Sequence, residues 1–219
     1  MTTSSLKVSI LISSESHPIY PMLRSWAASN RERHSVELVT DLGDLQGGDI
    51  LFLISCNEFV PQSVRARYVK SLVIHASDLP RGRGWSPHIW EILSGAREVT
   101  VTLLEAADKI DAGDIWKKVK ISIPKNIIAA EINELLFNAE LALMDYALKN
   151  FFDVKPTKQP MAINHPTWPK RCAEDSELNI NASLASQFDL LRVSDPERYP
   201  AFFIKDGRKF ILKLEVEDD

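Results

Sequence analysis

Apolar positions along the chain follow two rhythms, one of strands and one of helices. Residues 6–12, Leu-Lys-Val-Ser-Ile-Leu-Ile, are β-branched and apolar enough for a strand, and they run into Ser13-Ser-Glu-Ser-His-Pro18, which reads as a loop. Ile19, Met22, Leu23, Trp26 and Ala27 then recur at three- and four-residue spacing, so a helix is expected to about Asn30. Residues 35–40 and 49–55 are strand candidates, and the second is so continuously apolar that both of its faces must be covered, as in a parallel sheet. A short helix at 61–67, a strand at 70–75, a helix at about 87–94 and strands at 98–105 and 115–123 continue the alternation. Pro124 precedes a long helical pattern to about Asn150, with an apolar stripe through Ile128, Ile132, Leu135, Leu136, Ala139, Leu143 and Tyr146.

This order predicts an α/β domain over residues 1–150, doubly wound on a mostly parallel sheet. A small C-terminal region, 151–219, is expected to follow. Pro156, Pro160, Pro166 and Pro169 mark its start as loop-rich, and Asp206-Gly207 between two apolar runs predicts a β-hairpin near its end.

Composition narrows the chemistry. The 219 residues carry 26 Lys and Arg against 30 Asp and Glu, and a net charge of −4 argues against a general phosphate-backbone binder. Two cysteines, Cys56 and Cys172, exclude a disulfide framework and a Cys-based zinc site. No apolar run approaches the roughly 18 to 20 residues a membrane helix needs, and the N-terminus has no basic start followed by an apolar stretch. A cytoplasmic protein with no membrane partner and no metal is the expectation.

In an open α/β sheet, ligands bind beyond the carboxyl ends of the strands. Four loops there carry reactive groups: Ser13 to Pro18, Cys56 to Pro61, His75 to Trp85 and Ala106 to Asp114. A His at a strand end and a carboxylate from a loop crowded with Asp108, Asp111 and Asp114 suit acid–base work, because the carboxylate favours the protonated imidazole. The bland alternatives are a core His75 satisfied by a backbone carbonyl, and an Asp111 that only opens a turn. Arg81-Gly-Arg83-Gly reads equally as a surface loop or an anion clamp.

The segment Val73-Ile-His75-Ala-Ser-Asp-Leu-Pro80-Arg-Gly-Arg-Gly-Trp-Ser-Pro87, followed by Val99-Thr-Val-Thr-Leu-Leu and Lys109-Ile-Asp111-Ala-Gly-Asp114, resembles the formyltransferases that use 10-formyltetrahydrofolate. That family includes methionyl-tRNA formyltransferase, glycinamide ribonucleotide transformylase and the sugar N-formyltransferases. The resemblance covers roughly residues 6–150, and the tail from Trp168 to Phe203 looks like the tails of sugar N-formyltransferases. It implies catalytic roles for His75 and Asp111. It also implies a pterin site at Glu58, Phe59, Val60, Ala106, Ala107, Asp108 and Ile110, and acceptor contacts from Ser13, Ser16, His17, Ser77 and Arg83.

One motif residue is replaced. The family's Asn two positions before the His is Val73 here, which has no hydrogen bond to give a developing oxyanion. Asn57, just past the strand at 49–55 and expected beside the strand ending at His75, is the candidate substitute; its bland alternative is a bond to its own turn. The segment Asp41 to Gly48 is shorter than in larger relatives. The implied activity is transfer of formyl from 10-formyltetrahydrofolate to the amine of a small amino sugar, nucleotide-linked or of nonulosonic-acid type, with no nucleic acid partner and a homodimer left open. A folate- or sugar-binding protein without transfer activity, and tRNA formylation, are the rivals.

Overall fold

The computed structural model describes residues 4–160 and 167–217. Pro166, one of the four prolines taken above to mark a loop-rich start, lies outside the described residues. The strands are β1 (Lys7–Leu11), β2 (Ser35–Val39), β3 (Gly48–Leu53), β4 (Tyr68–His75), β5 (Glu98–Glu105) and β6 (Ile115–Ser122), joined in the order β2-β1-β3-β4-β5-β6. Helices α1 (Tyr20–Asn30), α2 (Gln62–Arg65), α3 (Pro87–Leu93) and α4 (Ala129–Asn150) flank the sheet, and α5 (Phe188–Val193) follows in the tail. A two-stranded antiparallel sheet, β7 (Ala201–Lys205) and β8 (Arg208–Leu212), turns at Asp206 and Gly207, both with positive φ. That is the geometry an Asp-Gly hairpin turn requires.

Both faces of the sheet are buried, as the unbroken apolar run of β3 demands. On one face Val8, Ile10, Ile50, Phe52, Leu72 and Leu103 meet α1 and α4 through Leu23, Trp26, Leu136 and Leu143. The indole of Trp26 donates to Asp145 at 2.7 Å and ties the two helices together. The other face is closed by Leu11, Leu51, Leu53, Val60 and Tyr68. Val193 of α5 joins Ile92, Val99, Ile123 and Ile132, so the tail is packed into the body.

The sheet is mostly parallel, as expected, with three of its five strand pairings parallel, while β5 pairs antiparallel with both β4 and β6. The segment between β5 and β6 contains no helix and is shorter than the dozen or so residues a parallel crossover needs. The apolar stripe of α4 is rotated from its expected place: Leu135 is 37% exposed, while Phe137, Glu140, Met144 and Ala147 are buried.

The carboxyl end of β5 therefore lies beside Leu72 rather than beyond His75. The 106–114 segment still reaches the end of β4, because the pairing register slips between Leu103 and Leu104 and the chain folds tightly back on itself. Glu105 donates its N–H to the Asp114 carbonyl at 2.9 Å, and Asp111 takes a left-handed φ of 54°. The fold-back needs glycine at 113, since a Cβ there would sit 1.8 Å from the Glu105 carbonyl oxygen. Gly113→Ala is expected to destabilise the chain by about 2 kcal/mol or more in urea denaturation, at the upper end of overpacking costs. A midpoint equal to wild type would show that the fold-back is dispensable.

Candidate active site

β4 ends on His75, buried at 8% exposure, and the chain then turns back over it. The His75 Nε2 lies 2.9 Å from the Gly82 carbonyl. A carbonyl only accepts, so Nε2 carries a proton and the free tautomer question passes to Nδ1. Nδ1 faces Asp111 Oδ1 at 3.6 Å, and the other oxygen of Asp111 accepts the Gly84 N–H at 3.2 Å. The pairing of His75 with Asp111 inferred from loop chemistry is thus present, held on both sides by backbone of the 82–84 turn.

That turn is itself fixed from the tail. Trp168 donates its N–H to Arg83 at 2.7 Å and accepts from Trp85 at 3.1 Å. Gly84 sits at φ 106°, and a Cβ there would lie 2.2 Å from the Trp168 carbonyl oxygen, so only glycine allows this approach. Gln159 adds a second clamp: its amide donates to the Asp111 and Gly113 carbonyls at 2.9 Å and accepts from Arg83 at 2.9 Å.

Around the pair opens a cavity of ≈ 780 Å³. One arm runs between the loop Cys56–Val60 after β3 and the segment Leu104–Ile110, and the other runs between Ser16, His17 and α4 on one side and the tail residues Lys170, Arg171, Arg198 and Tyr199 on the other. The volume is within the roughly 300 to 1,000 Å³ typical of small-molecule sites. Cys56 donates to the Leu11 carbonyl at 3.2 Å, and burial pushes its thiol up to about 12, which removes it as a nucleophile.

The second arm holds three buried ionisable groups kept in their neutral forms. Burial pushes His17 down to about 4, assisted by Arg198, and its Nδ1 accepts the Ile19 N–H at 3.3 Å. His88 is pushed down to about 3 by burial, by neighbouring His75 and by the Arg198 and Arg171 charges, and its Nδ1 is buried with no hydrogen-bond partner among the described residues. Glu140, from the rotated face of α4, is pushed up to about 8 by burial.

Most of the residues the sequence singled out do line the cavity: Ser16, His17, Asn57, Glu58, Phe59, Val60, His75, Ala106, Ala107, Ile110 and Asp111. Four are placed elsewhere. Ser13 accepts the Asn57 N–H at 2.7 Å, Ser77 is fully buried and donates to the Arg81 carbonyl, Arg83 is turned to Gln159, and Asp108 pairs with Arg65. Glu140, His88, Arg171, Arg198 and Gln159 were not singled out. A charge at 140 interrupting the stripe between Leu136 and Leu143 was the one sequence signal available for any of them.

A family model described as formyl transferase matches residues 6–148. The methionyl-tRNA formyltransferase of Protochlamydia amoebophila is 30% identical over 169 residues, covering 76% of this chain and 53% of that protein. The chain spans about half the length of the curated relatives it matches. Among solved structures, HypX from Aquifex aeolicus in complex with tetrahydrofolic acid superposes with a TM-score of 0.77 at 24% identity, covering 96% of this chain and 38% of that one. A sugar N-formyltransferase from a Shewanella species superposes with a TM-score of 0.73 at 16% identity, covering 98% and 99%. At these identities the structural likeness is one of fold.

The buried Glu140 makes a prediction about pH. Its carboxyl ionises near 4.3 in the unfolded chain, by the usual value for Glu, but only at about 8 in the folded one. Its neutral form is therefore fully accommodated below about pH 4.3, and stability is lost as pH rises toward 8, by up to about 1.4 kcal/mol for each pH unit between. Glu140→Gln has no such proton to lose. In urea denaturation the variant should gain on wild type steadily from pH 6 to 8, and parallel pH profiles would show that Glu140 is not held neutral.

Proposed function

Because the chain belongs to the formyl transferase family, we propose that it transfers the formyl group of 10-formyltetrahydrofolate to the primary amine of a small acceptor, an amino sugar. The observation that carries this reading is the His75–Asp111 pair, buried at the junction of the two cavity arms. The arm between Phe59 and Ile110 suits a flat heteroaromatic ring: Phe59, Val60, Leu104, Ala106, Ala107 and Ile110 give it apolar walls, with Glu58 and Arg65 among its polar groups. The other arm, with its Glu, His and Arg side chains, suits a polar acceptor. Two likenesses support the assignment, the HypX fold seen with tetrahydrofolic acid and the sugar N-formyltransferase fold.

The folate supplies the activated formyl carbon, which the acceptor amine attacks to give a tetrahedral oxyanion. In the tautomer fixed by Gly82, Nδ1 of His75 is the basic nitrogen. It lies 3.6 Å from Asp111, too far to be consumed by a hydrogen bond, so it takes the amine proton and Asp111 stabilises the resulting imidazolium. The same Nδ1–H then returns the proton to the departing nitrogen. Nε2 is committed to Gly82, so the oxyanion needs another donor.

Asn57 is our candidate for that task. What supports it is that β3 and β4 are parallel neighbours with Leu53 opposite Val73, and that Asn57, in the loop after β3, lines the cavity. Its backbone N–H bonds to Ser13, and its side chain makes no bond to its own turn among the described residues. A tRNA acceptor is the second reading, favoured by the names of the curated relatives, though the net charge of −4 offers no general attraction for a phosphate backbone.

His75→Asn and Asp111→Asn are expected to lower amine formylation about 100-fold or more, with tetrahydrofolate binding by calorimetry preserved. Turnover near wild type in either variant would remove the pair from the chemistry. A chain that binds folate but formylates neither a panel of amino sugars nor methionyl-tRNA would be a binding protein without transfer activity. Asn57→Ala should cost about 10-fold to 100-fold in kcat with folate affinity unchanged, and Val73→Asn in that background should restore part of the loss. An Asn57→Ala enzyme as fast as wild type would leave backbone amides as the oxyanion donors.

A further inference from the structure

Four buried side-chain nitrogens lack a hydrogen-bond partner among the described residues: Arg83 Nε, His88 Nδ1, Arg171 Nε and Arg192 Nη2. Of these residues His88 and Arg171 line the cavity, whereas Arg192 is paired with Asp189 at 2.6 Å and donates to the Pro124 and Ile127 carbonyls. Arg171 is buried at 6% exposure with no direct ion pair, and Asp175 and Asp195 act on it only through space. It donates once, to the Ser176 hydroxyl at 2.8 Å, and lies over the Tyr199 ring at 5.6 Å. Its Nε is buried with no hydrogen-bond partner, and no carboxylate lies within ion-pair distance among the described residues. A buried, uncompensated guanidinium is costly, so its position in the wall of a cavity implies a partner that arrives from the cavity.

Two neighbours on the same wall point the same way. Arg198 lines the same cavity and is anchored through Nε to Asp195 at 2.7 Å, a bond that does not use its two terminal nitrogens. His88, also in the lining, presents an orphaned Nδ1. It feels the charges of both Arg171 and Arg198, which places all three groups within electrostatic reach of one another. Held neutral, His88 donates a hydrogen bond from whichever nitrogen carries its proton.

We propose that Arg171, Arg198 and His88 form an anion subsite in the acceptor arm of the cavity, which holds a carboxylate or phosphate of the substrate whose amine is formylated. The assignment of the anion to an acceptor rests on the functional reading above; the subsite itself rests only on the uncompensated groups. It also gives the tail a role in selectivity, because two of the three residues lie beyond the family match that ends at 148. Planar guanidinium groups favour bidentate contact with either anion.

The test is calorimetric titration of the full chain at pH 7 and low salt with inorganic phosphate and, separately, with acetate. Saturable binding of one anion per chain is expected, weakened about tenfold or more in Arg198→Ala and in Arg171→Lys. Tighter phosphate binding identifies a phosphorylated acceptor, and tighter acetate binding identifies an acidic one. Failure of both anions to bind the folded wild-type chain overturns the subsite, as does equal binding by wild type and Arg198→Ala, an exposed position where folding is not at stake. Tetrahydrofolate is titrated into the same preparations. Loss of anion binding with folate binding retained localises the effect to the acceptor arm, whereas anion binding by a chain that binds no folate would uphold the subsite and reject the formyl-transfer reading.

Discussion

The site depends on a backbone approach that no side chain can substitute. Gly82 and Gly84 bring two peptide groups against His75 and Asp111, with the Gly82 carbonyl taking the imidazole Nε2–H and the Gly84 N–H holding one carboxylate oxygen. The turn reaches this position because Gly84 passes within contact distance of the Trp168 backbone, where a Cβ has no room. Trp168, stacked on Trp90 at 5.8 Å, ties that contact to the packing of α3. Backbone dipoles held by aromatic packing reorganise little during a reaction, which is the condition for useful electrostatic work in a water-poor site.

The constraint also separates charge within one cavity. Backbone of the turn hydrogen-bonds Asp111, whereas burial keeps His17, His88 and Glu140 in their neutral forms, with nearby arginine charge adding to it at the two histidines. Three neutral polar groups beside Lys170, Arg171 and Arg198 give an arm that offers directed hydrogen bonds and fixed positive charge. In the proposed formyl transfer, positive charge there disfavours an ammonium, and a neutral amine is the nucleophile the reaction requires.

Much of the sheet was legible because its burial is one-dimensional information. The apolar runs of β1, β3 and β4, the helical spacing of α1 and the Asp-Gly turn each encode their structure within a dozen residues. Chain direction in β5 and β6 was not legible, since an antiparallel and a parallel strand buried on both faces read alike, and the tight fold-back at Gly113 depends on one glycine. His75 and Asp111 emerged because two motif loops carry them. Arg83 and Ser77 misled for the same reason: they sit in the motif, but their side chains satisfy Gln159 and the Arg81 carbonyl instead of the cavity. Arg171, Arg198 and His88 were not singled out because nothing local marks which polar side chains will share a cavity wall; that wall exists only once three distant segments converge.

That convergence suggests why the tail is packed so firmly onto the sheet. An open sheet edge with a reactive pair at its crevice specifies a reaction but leaves one side of the cavity unbuilt. Here the missing side is supplied by chain after α4, held by Arg192 on the Pro124 and Ile127 carbonyls, by the Arg97–Asp189 pair, by Val193 in the core beside α3, and by the Trp168 contact with the 82–84 turn. The same contact that closes the cavity on the tail side therefore also positions His75 and Asp111. Under the proposed function, a change in the tail that altered acceptor preference would have to keep the Trp168 backbone in place, so variation is open to side chains such as Arg171 and Arg198 but not to the path of the chain that carries them.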